Sequence, residues 1–198
     1  MKLASYLFVM LGFFGICCSK EQLTPERAEV VSPPSIKSIV YVIKKGMHYS
    51  DQSDAEVLNK AYISVKATFN NSAKYTSYDP VNQADVNKLI GFSDCGTEHQ
   101  QNSARLGWSW NGTGLVIYAY AYVNKKRVIK SMGVVALDKP FACSLKATTN
   151  HYVFKVNDVI DSIPRYCTSD SAFRYKLFPY FGGDETAPHE ISIRIEEN

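Results

Sequence analysis

The sequence has no Gly-x-Ser-x-Gly elbow, no Gly-x-x-x-x-Gly-Lys loop and no Gly-x-Gly-x-x-Gly fingerprint. Serine-hydrolase, P-loop and dinucleotide chemistry therefore lack their usual motifs. It has five cysteines but no Cys-x-x-Cys pair, and none of its four histidines stands at ligand spacing from a cysteine. We expect no zinc site, no other metal and no cofactor. A formal net charge of +3 is too small for a nucleic-acid binder. The basic clusters are limited to Lys44-Lys45 and Lys125-Lys126-Arg127, the second reading as a solvated hairpin tip. There is no internal repeat. What is present is a hydrophobic fraction of 45% and an aromatic fraction of 13% over 198 residues, enough for one well-packed domain.

The N-terminus stands apart. Lys2 precedes an apolar run, Leu3 to Ile16, that is short for a membrane span. The run meets Cys17, Cys18 and then the polar Ser19-Lys20-Glu21. "CSKEQ" resembles the start of mature lipoproteins from the Bacteroidota, which implies a signal peptide over 1–17, lipid on Cys18 and attachment to the outer membrane, facing the cell surface or the periplasm. Residues 18–35 are polar, with three prolines between Ser19 and Ser35, and read as a tether to a domain over 36–198. Cys95, Cys143 and Cys167 then remain. Three is odd, so at most one internal disulfide can form, and we read them as buried free thiols.

Within the domain the hydrophobic period is two. "AYISVKATF" sets Ile63, Val65, Ala67 and Phe69 against Tyr62, Ser64, Lys66 and Thr68, and "EISIRIEE" sets Ile191, Ile193 and Ile195 against Ser192, Arg194 and Glu196. Ten or so short strands predict an all-β, antiparallel sandwich of jelly-roll type with at most one or two short helices. The helical candidates are "DAEVLNKAY" (54–62) and the weaker "QADVNKLI" (83–90). Capping of the first helix would account for Asp51, Asp54 and Glu56 without calcium.

Asn111-Gly112 joins "ARLGWSW" to "GLVIYAYAYV" and predicts a hairpin. A loop of two or of four residues gives the same faces. One carries Leu106, Trp108, Trp110, Leu115, Ile117, Ala119 and Ala121, and is core. The other carries Arg105, Gly107, Tyr118, Tyr120 and Tyr122, with Arg105 opposite Tyr118 or Tyr120. Aromatic rings stack on a sugar's C–H face, and a guanidinium accepts a carboxylate or sulfate bidentately. Gly107 is expected to leave a gap beside the rings, and Arg105 to be the sole cation among them. The preceding polar stretch, Gly91 to Arg105, contributes Asp94, Glu98, His99 and Asn102, of which His99 is a candidate base. In "YKLFPYFGGDETAPHE" (175–190), Pro179 implies an edge or a bulge and Gly182-Gly183 a hairpin loop. Tyr180, Asp184, Glu185 and His189 could rim one end of a groove.

The segments "NKLIGFSDC", "HQQNSARLGWSW" and "YKLFPYFGGDETAPHEISIRI" resemble uncharacterised lipoproteins of the Bacteroidota. The chain is also distantly similar to jelly-roll polysaccharide lyases and concanavalin-like carbohydrate-binding domains. That similarity implies, for a lyase, Tyr120 or Tyr180 acting with His99 while Arg105 neutralises a uronate. The lyase strand motifs Arg-x-Glu-x-Arg and Gln-Ile-His do not occur. The expectation is a membrane-anchored, non-catalytic carbohydrate-binding module that takes an acidic polysaccharide at Arg105, Tyr118, Tyr120, Tyr122, His99 and Tyr180. The alternatives are a polysaccharide lyase or related glycan-degrading enzyme, and a structural or adhesion lipoprotein with a protein partner.

Overall fold

A computed structural model of the chain describes residues 37–167 and 173–197. The expected signal peptide, the lipidation at Cys18 and the tether lie outside the described residues. Among the described residues eleven strands form two antiparallel sheets. The first sheet contains β1 (Lys37–Ile43), β2 (Tyr62–Phe69), β7 (Phe141–Ala147), β8 (His151–Val156), β9 (Val159–Pro164) and β11 (Ile191–Glu197), in the order β1-β11-β2-β7-β8-β9. The second contains β3 (Asn87–Ser93), β4 (Ser103–Trp110), β5 (Leu115–Val123), β6 (Lys126–Val135) and the two-residue β10 (Lys176–Leu177), in the order β10-β3-β4-β5-β6. This is the expected sandwich.

The core lies between the sheets and follows the alternation in the sequence. Ile191, Ile193 and Ile195 are fully buried, as are Leu106, Trp108, Leu115, Ile117, Ala119 and Ala121. Phe69 of β2 meets Trp108 of β4 across the core, with ring centroids 5.0 Å apart. Burying each such large side chain stabilises the fold by about 1.5–3 kcal/mol. Trp110, at the strand end, is only half-buried, with the Lys74 ammonium 5.7 Å from its ring. The β4–β5 register pairs Trp110 with Leu115, so the loop has four residues. Asn111 Oδ1 organises it, accepting from the backbone N–H groups of Thr113 and Gly114. The next turn places Asn124 and Lys125 at positive φ, confirming the basic hairpin tip.

Neither helical candidate forms. The 54–62 stretch runs without helix. Leu58 donates its N–H to Arg174 O, and Tyr62 already belongs to β2. Its acids serve other ends: Glu56 pairs with Lys176 at 3.1 Å, and Asp51 accepts from Val42 N–H. In 83–90 a 3-10 turn (Pro80–Ala84) ends before Asn87, and β3 begins there. A bulge after Lys88 lets both Leu89 and Ile90 enter the core, which mimics helical spacing in the sequence. The only helical turns among the described residues are this one and Asn71–Ala73.

The stretch 175–190 is not a hairpin. β10 pairs with β3 in one sheet and β11 with β1 and β2 in the other, so the chain crosses between sheets. Pro179 stands in the break between β10 and the Tyr180 bridge, where its carbonyl accepts from Ser50 N–H, so residues 48–50 flank it and it is not a free edge. The glycine pair serves close approach as well as turning. A Cβ on Gly182 would come within 2.5 Å of Lys88 Nζ, and Gly183, at φ +84, lies against the Asp85 carboxylate.

Candidate functional site

The β4–β5 face turned away from the core forms the floor of a groove of about 680 Å³. Arg105 stands opposite Tyr120 on β5 and opposite Gly91 on β3. A Cβ on Gly91 would lie 2.8 Å from Arg105 Cγ, so the glycine makes room for the arginine stem. Arg105 is 7% exposed, and its Nε–H has no hydrogen-bond acceptor. Burial pulls the pKa of the guanidinium down, opposed by the surrounding tyrosines, Tyr120 first.

Lys88 of β3 is half-buried and holds its ammonium 4.9 Å from the centroid of the Tyr120 ring and 5.8 Å from that of Tyr180. Burial, then Arg105, lowers its pKa to about 8. No carboxylate among the described residues forms an ion pair with Lys88 or Arg105. Tyr120 is 3% exposed and packs edge-on against Tyr122 at 5.8 Å. Its phenol is pushed to a higher pKa by burial and by the Tyr122 hydroxyl.

The wall is built from chain-distant segments. Tyr180 exchanges two backbone hydrogen bonds with Lys88, which resumes the strand begun by β10. Its ring stacks on His48 at 5.2 Å and meets Tyr49 edge-on at 5.0 Å, and Tyr49 is 63% exposed. Lys176 is fixed between Glu197 (2.6 Å) and Glu56 (3.1 Å). Elsewhere along the groove, Tyr175 Oη accepts from the His99 backbone N–H at 3.0 Å and lies 3.2 Å from His99 Nδ1. Burial, then Arg105, lowers the His99 pKa.

Of the residues expected from sequence, Arg105, Tyr120, Tyr122, His99, Tyr180 and Asp184 line the groove. Tyr118 does not; its hydroxyl is 3.0 Å from Ser109 Oγ. Gly107 leaves no gap, because Val86 Cγ1 fills that space 2.5 Å from where a Cβ would be. Glu185 instead accepts hydrogen bonds from Tyr78 N–H, Asp79 N–H and Asn82, and His189 Nε2 lies 2.8 Å from Ser72 O. Nor is Arg105 the sole cation: Lys88 and Arg127 line the same groove, as do Tyr49 and Tyr175. The signal for Lys88 was present in "NKLIGF", whose glycine falls opposite Arg105, but the adjacent Leu89-Ile90 pair hid the strand.

Asp94 departs furthest from expectation. It is fully buried, not a polar loop acid. Arg165 and Arg174 both pair with its carboxylate, and the Tyr152 hydroxyl donates to it at 2.9 Å. Beside it Cys95 and Cys167 form a disulfide, so two of the three thiols expected to be free are bonded, and only Cys143 remains a buried thiol. Asp94, Cys95 and Cys167 are the one cluster of metal-ligand type among the described residues, and the disulfide commits both of its sulfurs. The polar loop that follows is tied down next to the cluster: Asp94 N–H bonds Asn102 O, Gly96 N–H bonds Phe173 O, and Asn102 Oδ1 accepts from Asn124 N–H.

No protein-family profile matches the chain, and no curated protein matches its sequence. The likeness is to solved structures. The alginate lyase AlyC3 gives a TM-score of 0.54 at 13% identity, over 80% of this chain and 72% of that one. AlyC3 in complex with dimannuronate gives 0.58 at 10% identity, over 80% and 71%. SCLam, a non-specific endo-β-1,3(4)-glucanase from family GH16, gives 0.52 at 12% identity, over 81% and 70%. The chain has the jelly-roll β-sandwich fold of these polysaccharide-acting proteins, the distant similarity expected from the sequence.

Proposed function

We propose that this protein binds an acidic polysaccharide in the groove over β4 and β5, and is carried on the outer membrane by lipid at Cys18. The observation that carries the binding reading is Arg105. A buried guanidinium with no counter-charge is costly to keep in a folded protein. A carboxylate or sulfate entering the groove supplies that counter-charge. Tyr49, Tyr122, Tyr175 and Tyr180, none of them fully buried, offer flat apolar faces for the sugar ring. The fold shared with AlyC3, seen in complex with dimannuronate, supports the same ligand class.

The test is calorimetry of the purified protein with uronate and sulfated oligosaccharides, wild type beside Arg105→Ala. Loss of one charge-assisted hydrogen bond lowers affinity roughly ten- to a hundredfold. Unchanged binding by Arg105→Ala removes the site. A protein partner recovered in place of any glycan would support the adhesion reading.

A second reading, a lyase, is favoured by one contact. His99 and Tyr175 lie within hydrogen-bond distance along the groove that holds Arg105, which brings a proton-transfer pair near the group that would neutralise a uronate. Ultraviolet absorbance of an unsaturated uronate on incubation with polymannuronate or polygalacturonate would establish it.

A further inference from the structure

Lys88 and Arg105 rise from the same face of adjacent strands. Lys88 pairs with Gly107, and Arg105 lies two residues from Gly107 on β4, so parity puts both side chains in the groove. The place of the ammonium is built. Two backbone hydrogen bonds to Tyr180 fix the residue, the rings of Tyr120 and Tyr180 flank its end, and Gly182 lacks the Cβ that would displace it. The charged and titratable groups acting on it come from every neighbouring element. Arg105 on β4, Arg127 on β6 and His99 in the polar loop are basic. The phenols of Tyr120 and Tyr180 are neutral, and burial raises both pKa values. Among the described residues Asp85, just before β3, is the acid that favours the charged amine, and it forms no ion pair with it.

We propose that Lys88 and Arg105 form a two-cation site that takes two acidic groups of one ligand, with Lys88 as a proton-linked contact that selects densely charged glycans over sparsely charged ones. This rests on the acidic-glycan reading above. A lone acidic group satisfies Arg105 and leaves Lys88 without a partner. A second one draws a proton onto the Lys88 amine and holds it there. Burial and Arg105 set the free amine near 8, so the linkage falls in an accessible range. Below that pH the amine is already charged, and binding needs no proton. Above it each binding event takes one up, so affinity falls as pH rises.

The experiment uses full-length protein and two probes: a mannuronate hexamer, and the same hexamer with alternate carboxylates reduced to alcohols. Calorimetry at about pH 7 and about pH 9.5, in buffers of different ionisation enthalpy, gives affinity and proton uptake together. Wild type should bind the full hexamer about tenfold more weakly at the higher pH, with proton uptake there. Lys88→Met should bind it about tenfold more weakly at pH 7, with little pH dependence and no uptake. Lys88→Arg, whose charge does not titrate in this range, should keep the pH 7 affinity and lose the pH dependence. The reduced hexamer should not distinguish wild type from Lys88→Met. If Lys88→Met binds the full hexamer as wild type does while Arg105→Ala does not, this inference fails and the proposed function stands. If wild type binds neither this hexamer nor the sulfated oligosaccharides of the first test, both fail.

Discussion

Arg105 and Tyr120 face each other across the β4–β5 ladder, and both are almost completely buried although neither points into the core between the sheets. The segment after β10 pairs through Tyr180 with Lys88 at the edge of the same sheet, and Tyr180 lines the groove beside them. The face that a strand pattern marks as the outer one is therefore a second interior, polar and positively charged. Substitutions there should read differently from those in the core.

Trp108 is 0% exposed and touches Phe69, Tyr75 and Phe181. Trp108→Ala should destabilise the protein by about 3–5 kcal/mol, because a large cavity opens between the sheets. Trp110→Ala, at the half-buried strand end, should cost well under half of that. Urea titrations of the two variants check the order.

Asp94 is the shared counter-charge for Arg165 and Arg174. Asp94→Asn keeps the shape and removes the charge, leaving two buried guanidinium groups facing a neutral amide. The expected loss is about 3–5 kcal/mol, measured by denaturant unfolding under oxidising conditions. A loss below about 1 kcal/mol would mean that the arginines are compensated elsewhere.

Lys88 makes a prediction that needs no ligand. Its amine titrates near 8 in the folded chain, against 10.5 for an ordinary lysine. Between those values the unfolded chain holds a proton that the folded one has released, so this group's contribution to stability rises with pH across the window. Below it the charged amine opposes folding in full. Lys88→Met should therefore raise the melting temperature of the free protein at pH 7, and the gain should shrink as pH approaches about 10. A gain that grows with pH would show that the amine is stabilised as a cation.

Cys18→Ala should release the protein from membranes and abolish fatty-acid labelling, since stable attachment depends on the acyl chains. Labelling that persists unchanged would move the site to Cys17 or remove the lipoprotein reading.

The sandwich was legible because its core strands alternate cleanly, and the tyrosine face because Asn111-Gly112 fixes parity whichever loop length is used. Arg105 followed from that parity alone. Lys88 did not, because a bulge puts Leu89 and Ile90 side by side in the core and breaks the period of two. Tyr49 and Tyr175 reach the groove from segments far apart in sequence, and no local pattern reports such packing. In the sequence Asp94 looks like a loop acid because its partners, Arg165 and Arg174, lie more than seventy positions downstream. The disulfide leaves no local signal for a similar reason, since its cysteines are 72 residues apart.

That disulfide bears on how the chain must be made. It joins the turn after β3, in one sheet, to the segment after β9, in the other. Cytosolic reductants keep such thiols apart, whereas the periplasm and the cell exterior let them pair. Protein produced in a reducing cytoplasm would carry the Asp94 cluster without its covalent tie, leaving the loop that bears His99 to be held by hydrogen bonds alone. Material for any binding measurement should come from an export host or be oxidised after purification.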